Sequence, residues 1–303
     1  MNRSRYYQAP DNVGIGSLII LVPSGLITSL VLGIIYGIAT GLCPFIYINA
    51  LITWGYGTVL GITMGKVAES MKFPSQVLGT LLTVGIGIVG AYTAWIGWIF
   101  YASNWEAIVW HPGHVASIMK EIAAEGGWSI FSFTPQGIVL YLIWLLEAGI
   151  ILFFTRRKYL EFVSLPYCGH CQQWAERFSL YMPLKLISDG NSLRTGLEAE
   201  GYQALDELQI DPQADDQFGQ ASLFQCERCD NLNVLSINNV KVTVDKEGNA
   251  STENEPVVEN ILVSLDACNR LKPLEDELQR LSEQNPAEAD GDTESATPPA
   301  EAS

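Results

Sequence analysis

The chain has 303 residues, a formal net charge of −16 and 48% hydrophobic residues. Its charge is lopsided: residues 1–155 hold 5 Lys/Arg against 6 Asp/Glu, whereas residues 156–303 hold 12 against 27. Such asymmetry implies one half in apolar surroundings and one in water, and it excludes direct binding of nucleic-acid phosphates or anionic headgroups by the acidic half.

A short N-terminal segment, 1–19, leads into an essentially uncharged stretch from Ser17 to Gly65. That is twice what one helix needs to cross about 30 Å of hydrocarbon. GLCPF, Gly41–Phe45, supplies the break with glycine and proline, so the reading is one span over 20–41 and another over 45–65. Further apolar runs cover 77–101 and 136–155. The expectation is a four-helix α-helical transmembrane region over 20–155. With no A-x-A-like site between the first two runs, the first reads as a span and not as a signal peptide.

Arg3 and Arg5, then Lys66 and Lys72, then Arg156, Arg157 and Lys158 all fall on one side of a four-span chain, and only Lys120 falls on the other. By the positive-inside rule both termini are expected in the cytosol, with Trp95, Trp98, Trp105, Trp110 and Trp128 near the outer face. Two spans carry glycine ladders, Gly33/Gly37/Gly41 and Gly57/Gly61/Gly65. A four-residue period places each set on one helix face. The expectation is close packing of these two consecutive helices on each other, with a homo-oligomer seam as the alternative. Glu147, in LIWLLEAGII, is the one ionisable residue well inside a span; a hydrogen bond to Tyr, Thr or Asn on a neighbouring helix is expected, with a proton or ion path as the sharper reading. In the outer loop, 102–135, Val115, Ile118, Met119 and Ile122 recur at helical spacing after HPGH. Pro112 is expected to start a surface helix, and His111 with His114 makes a weak metal pair lacking a third ligand.

Beyond the fourth run, 156–282 reads as a small β-rich domain. YLEFVSL and WAERFSLY look like two strands joined by a turn holding Cys168 and Cys171, and FQCERCDNLNVLSI repeats the arrangement around Cys226 and Cys229. The tetrapeptide CGHC is that of protein disulfide isomerases. A thioredoxin-like domain, however, needs a βαβ-type lead-in and a helix after the motif, and about a dozen residues leave no room for one. Two CxxC turns in one domain supply four thiolates, the number a tetrahedral structural zinc site takes. The chain in this respect resembles the zinc-ribbon family, in which two CxxC knuckles on β-hairpins grip one ion. The resemblance implies structural Zn2+ held by Cys168, Cys171, Cys226 and Cys229.

The 54 residues between the knuckles exceed the compact pattern, so an insertion over 182–220 is expected. Its helix is placed at Ser192–Leu208, with Leu193, Leu197, Ala204, Leu205 and Leu208 on one face. NLNVLSI, VKVTVD and VVENILVS read as strands, with DKEGNASTENEP as a polar turn. A short helix carrying Leu274, Leu278 and Leu281 follows. The tail 283–303, with six acidic residues and three prolines, is expected to be disordered. His170, Cys43 and Cys268 are expected to carry no chemistry.

No nucleophile–base pair, phosphate loop or open metal site is visible. The expected function is therefore a non-enzymatic integral membrane protein presenting a cytosolic zinc-ribbon module to a protein partner. The alternatives are a membrane-anchored thiol–disulfide oxidoreductase, with Cys168 as nucleophile and Cys171 resolving, and a transporter or channel using Glu147. YQAP, PFIYINALITWGYG and the GGWSI…EAGII stretch resemble small bacterial membrane proteins, which implies a prokaryotic inner membrane and names no activity.

Overall fold

A computed structural model describes residues 5–10, 14–43, 45–126, 134–179, 184–211, 214, 216–229, 231–244 and 250–284. Trp128, part of the outer loop, the start of the insertion and the acidic tail 285–303 lie outside them. The chain forms two compact units, Ala9–Leu165 and a second built from Met1–Gln8 together with Pro166–Ser303.

The first unit is helical: α1 Ile15–Leu42, α2 Ile46–Ser70, α3 Gln76–Ala102, α4 Pro112–Glu125 and α5 Ile138–Val163. Extended backbone at Cys43 and Phe45 ends α1 and starts α2 at the expected break. Ser75 caps α3 by accepting the Leu78 N–H, satisfying one of the donors a helix start leaves orphaned. Three helices, α1, α3 and α5, are long and apolar enough to cross a membrane. α2 is 25 residues long but is interrupted by Asn49, Thr53, Tyr56, Thr58 and Thr63, so three of the four expected spans coincide with helices of that length and apolarity. Thr53 and Tyr56 are buried with Leu60 and Met64, so these side chains face protein, where their polar groups find partners.

The glycine ladders pack differently from the sequence expectation. A Cβ on Gly33 or Gly37 would strike Gly90, Thr93 and Ala94 of α3, and one on Gly57 or Gly61 would strike the Ile151 and Thr155 backbone of α5. Each ladder thus seats its helix on a non-consecutive neighbour running parallel to it. Small residues on one helix admit the backbone of the next to near van der Waals contact, which is what holds helices together where hydrophobic burial supplies little. Both ladder faces are taken up within the chain.

The expected strand YLEFV is instead the last turns of α5. Thr155, Tyr159 and Val163, four residues apart, are all buried on one face, and that period is helical. Only Tyr167–Cys168 (β1) and Gln173–Trp174 (β2) flank the first cysteine turn.

In the second unit, β3 Glu176–Ser179, β4 Gln217–Gln225, β5 Asn233–Val244 and β6 Ala250–Leu262 form an antiparallel sheet in the order β3-β4-β5-β6. NLNVLSI and VKVTVD are one strand, and most of the expected polar turn is β6. The insertion helix is shorter than expected: α6 covers Gly190–Glu198, and a 3₁₀ turn covers Tyr202–Glu207. The break falls at Glu200, which adopts φ 60°, next to Gly201. Leu193, Leu197, Tyr202 and Leu205 pack with Ala221, Leu235, Ile237, Val258 and Ile261 into one core, closed by Ala267, Cys268 and Leu271 of α7, Leu265–Gln284.

Arg5–Tyr7 add a short antiparallel strand to β6. The Tyr7 N–H donates to Asn260 O at 2.7 Å, the Leu262 N–H donates to Arg5 O at 2.8 Å, and Tyr6 pairs with Ile261. Asn260 has φ 54° where the β5–β6 register shifts; such a bulge turns one carbonyl out of the ladder, here toward Tyr7. A second shift nearby leaves Val257 O to accept both Nε (3.1 Å) and an Nη (2.6 Å) of Arg194 from α6. Two bulges thus clip two separate segments to one strand.

Candidate metal centre

The site is built from two hairpin tips. In the first, Tyr167 lies opposite Trp174 and Cys168 opposite Gln173, and the two aromatic rings meet edge-on with centroids 5.0 Å apart. That cross-strand pair closes the mouth of a hairpin too short to hold itself. Gln172, at φ 52°, takes the left-handed conformation that turns the chain back. The second tip joins β4 to β5, where the Cys226 N–H donates to Leu232 O at 3.1 Å and the Cys229 N–H to Cys226 O at 3.3 Å.

The structure brings together all four expected ligands. The sulfurs of Cys168, Cys171, Cys226 and Cys229 all lie within 4.8 Å of one another, and Cys168 Sγ is 3.6 Å from Cys229 Sγ. All four are free thiols. A disulfide would need about 2.0 Å, whereas a tetrahedral zinc with bonds of about 2.3 Å spaces its sulfurs about 3.8 Å apart. The observed spacing suits the second. Among the described residues this is the one group of three or more His, Cys, Asp or Glu side chains placed to hold a metal.

Burial and backbone donors set the electrostatics. The N–H groups of Cys171 and His170 are directed at Cys168 Sγ, and those of Arg228 and Cys229 at Cys226 Sγ. Burial pushes the Cys168 thiol up. Cys171 is pushed up to about 12, first by its hydrogen bond to Cys229 and then by desolvation. Burial also acts to raise Cys226, but the Arg228 N–H and the neighbouring thiols outweigh it and lower that thiol to about 7. Cys226 is therefore readier to ionise than Cys168 or Cys171. A divalent cation would favour thiolate at every position.

Two contributors were not foreseen. Gln173 Nε2 donates to Cys226 Sγ at 3.4 Å. Tyr7 packs against the cysteines, where its Oη accepts from the Tyr167 N–H at 2.8 Å and donates to Tyr167 O at 3.4 Å. Nothing local in the sequence ties Tyr7 to a motif 160 residues away. His170 is exposed and contributes its N–H, not its ring. Cys268 is buried in the main core, donating to Ser264 O at 3.5 Å.

The other two expected groups are accounted for by hydrogen bonds. His111 Nδ1 accepts the Gly113 N–H at 3.2 Å and caps α4, with Pro112 in the first turn as expected. Glu147 accepts a hydrogen bond from the Tyr36 hydroxyl, which also meets Thr53 Oγ1 at 2.9 Å. This is the cross-helix contact expected for a lone carboxyl in a span.

No protein-family profile, no curated protein and no solved structure matches the chain.

Proposed function

We propose that the protein is a non-enzymatic integral membrane protein with four spans that holds a structural zinc-ribbon module on the cytosolic face of a bacterial-type inner membrane. The observation that carries this reading is the four-sulfur cluster drawn from two hairpins. Cys168, Cys171, Cys226 and Cys229 would hold the ion. A site closed by four thiolates keeps no position for water or substrate, so the zinc cross-links the hairpins and takes no part in chemistry. The same geometry disfavours the oxidoreductase reading, because the CGHC turn sits on a two-residue-stranded hairpin and not at a helix start.

A fourth crossing by α2 is supported in two ways. Tyr36 and Thr53 meet near one end of the α1–α2 pair and Ser29 and Tyr56 further along it, while Gly57, Gly61 and Gly65 follow Ile151, Thr155 and Phe162. α2 thus runs the length of its neighbours, antiparallel to α1 and parallel to α5. In addition, Arg5–Tyr7, which precede α1, are part of the sheet that follows α5. A chain that leaves one water-soluble unit and returns to it crosses a membrane an even number of times. The basic residues on that side argue for the cytosol. With no reaction to perform, the module serves binding: α6 and the exposed Ala250–Glu255 end of β6, beyond the stretch paired with Arg5–Tyr7, are the surfaces we assign to a protein partner.

Metal analysis of the full-length chain, purified under reducing conditions, tests the proposal. It predicts one zinc per chain, lost when any of the four cysteines becomes serine. A metal-free protein that cycles a Cys168–Cys171 disulfide and stays folded as Cys226→Ser would support the oxidoreductase instead.

A further inference from the structure

The helical unit contains a cavity of about 590 Å³ whose wall is formed by α1, α2, α3 and α5, with Ile122 of α4. That volume is in the range of sites for small organic ligands. Most of the lining is apolar or aromatic, including Trp95 and Trp144, whose rings meet edge-on at 4.8 Å. The polar groups gather on one side: Glu147 hydrogen-bonded to Tyr36, Tyr36 to Thr53, and Asn49. Asn49 Nδ2 donates to Cys43 O at 3.1 Å, but its Oδ1 is buried without a partner among the described residues.

Among the described residues no Lys, Arg or His lines the cavity. The described wall therefore offers acceptors, the Glu147 carboxyl and aromatic faces, with no positively charged group among its described residues. We propose that this cavity binds a protonated amine bearing an apolar chain. The ammonium pairs with the Glu147 carboxylate, the rings of Tyr36, Trp95 and Trp144 add cation–π attraction, and the chain fills the apolar remainder. A free alkylamine and an aminolipid headgroup both present this chemistry.

The test uses the full-length protein in phosphatidylcholine nanodiscs, with ω-bromododecylammonium quenching the tryptophans. The proposal predicts saturable quenching, weakened about tenfold or more by Glu147→Gln through loss of the charge pair. In the unaltered protein, dodecylammonium should compete with the probe and dodecanol should not, a comparison that needs no variant to fold. Competition by phosphatidylethanolamine added to the discs would assign the site to a lipid headgroup; its absence would assign it to free amines. Equal competition by dodecanol, or quenching unchanged in Glu147→Gln, would make the space a hydrocarbon-filled void and overturn the proposal, as would no saturable quenching at all.

Discussion

Replacing the Cys226 sulfur with a serine hydroxyl removes the thiol best placed to ionise and leaves three ligands for a four-coordinate ion. Structural zinc contributes about 10–16 kcal/mol in small domains, so Cys226→Ser should release metal and unfold the knuckle end of the second unit, seen as zinc loss and a lowered thermal midpoint. His170→Ala should leave the metal content unchanged, since the exposed ring is no ligand. Zinc affinity should rise with pH, because binding expels the protons that Cys168 and Cys171 retain. With Cys171 held up to about 12 and Cys168 also raised, at least two protons leave near neutrality. Chelator competition at pH 6 and 7 should then show an affinity change of about hundredfold or more per pH unit, weaker at the acid end. These four cysteines were legible in the sequence because CxxC is local and the need for four ligands pairs the two motifs. Tyr7 and Gln173 were not, because their role depends on a strand pairing and a turn that no short pattern encodes.

Among the elements, the helices were easier to read than the strands. Apolar runs marked α1, α3 and α5 to within a few residues at most of their ends, yet the tail of α5 reads as a strand if Tyr159, Phe162 and Val163 are weighed by β-propensity. The buried Thr155–Tyr159–Val163 period decides for helix. β6 is hidden for the opposite reason: Ser251–Glu255 are exposed and polar, as the outermost strand of a sheet in water can be. The N-terminal strand adds to that edge and reaches the metal centre through Tyr7. Tyr7→Phe removes the acceptor of the Tyr167 N–H, and a buried orphan donor costs about 1–3 kcal/mol. The expected outcome is faster zinc transfer to a chelator at equal zinc content. In the helical unit, Gly37→Ala would place a Cβ 1.9 Å from Ala94 O and should destabilise the bundle by about 1–3 kcal/mol. Gly55→Ala meets nothing within 4 Å and should be neutral or mildly stabilising. Thermal unfolding in detergent separates the two.

For the molecule as a whole, the charge asymmetry marked two environments, and the two units divide close to where the charge changes. What composition could not supply was the return of residues 5–8 to the C-terminal unit, because a long-range pairing leaves no mark on either segment alone. Reporter tags at the two ends should therefore be protected on the same side of sealed vesicles, whereas a three-span chain would separate them. The measurement that bears most directly on the account is zinc-edge X-ray absorption on the full-length protein as isolated. Convergence of both hairpins on one ion predicts a single shell of four sulfur scatterers at about 2.3 Å. Two sulfurs with nitrogen or oxygen making up the shell would mean that only one hairpin grips the metal, and the zinc-ribbon account would fail.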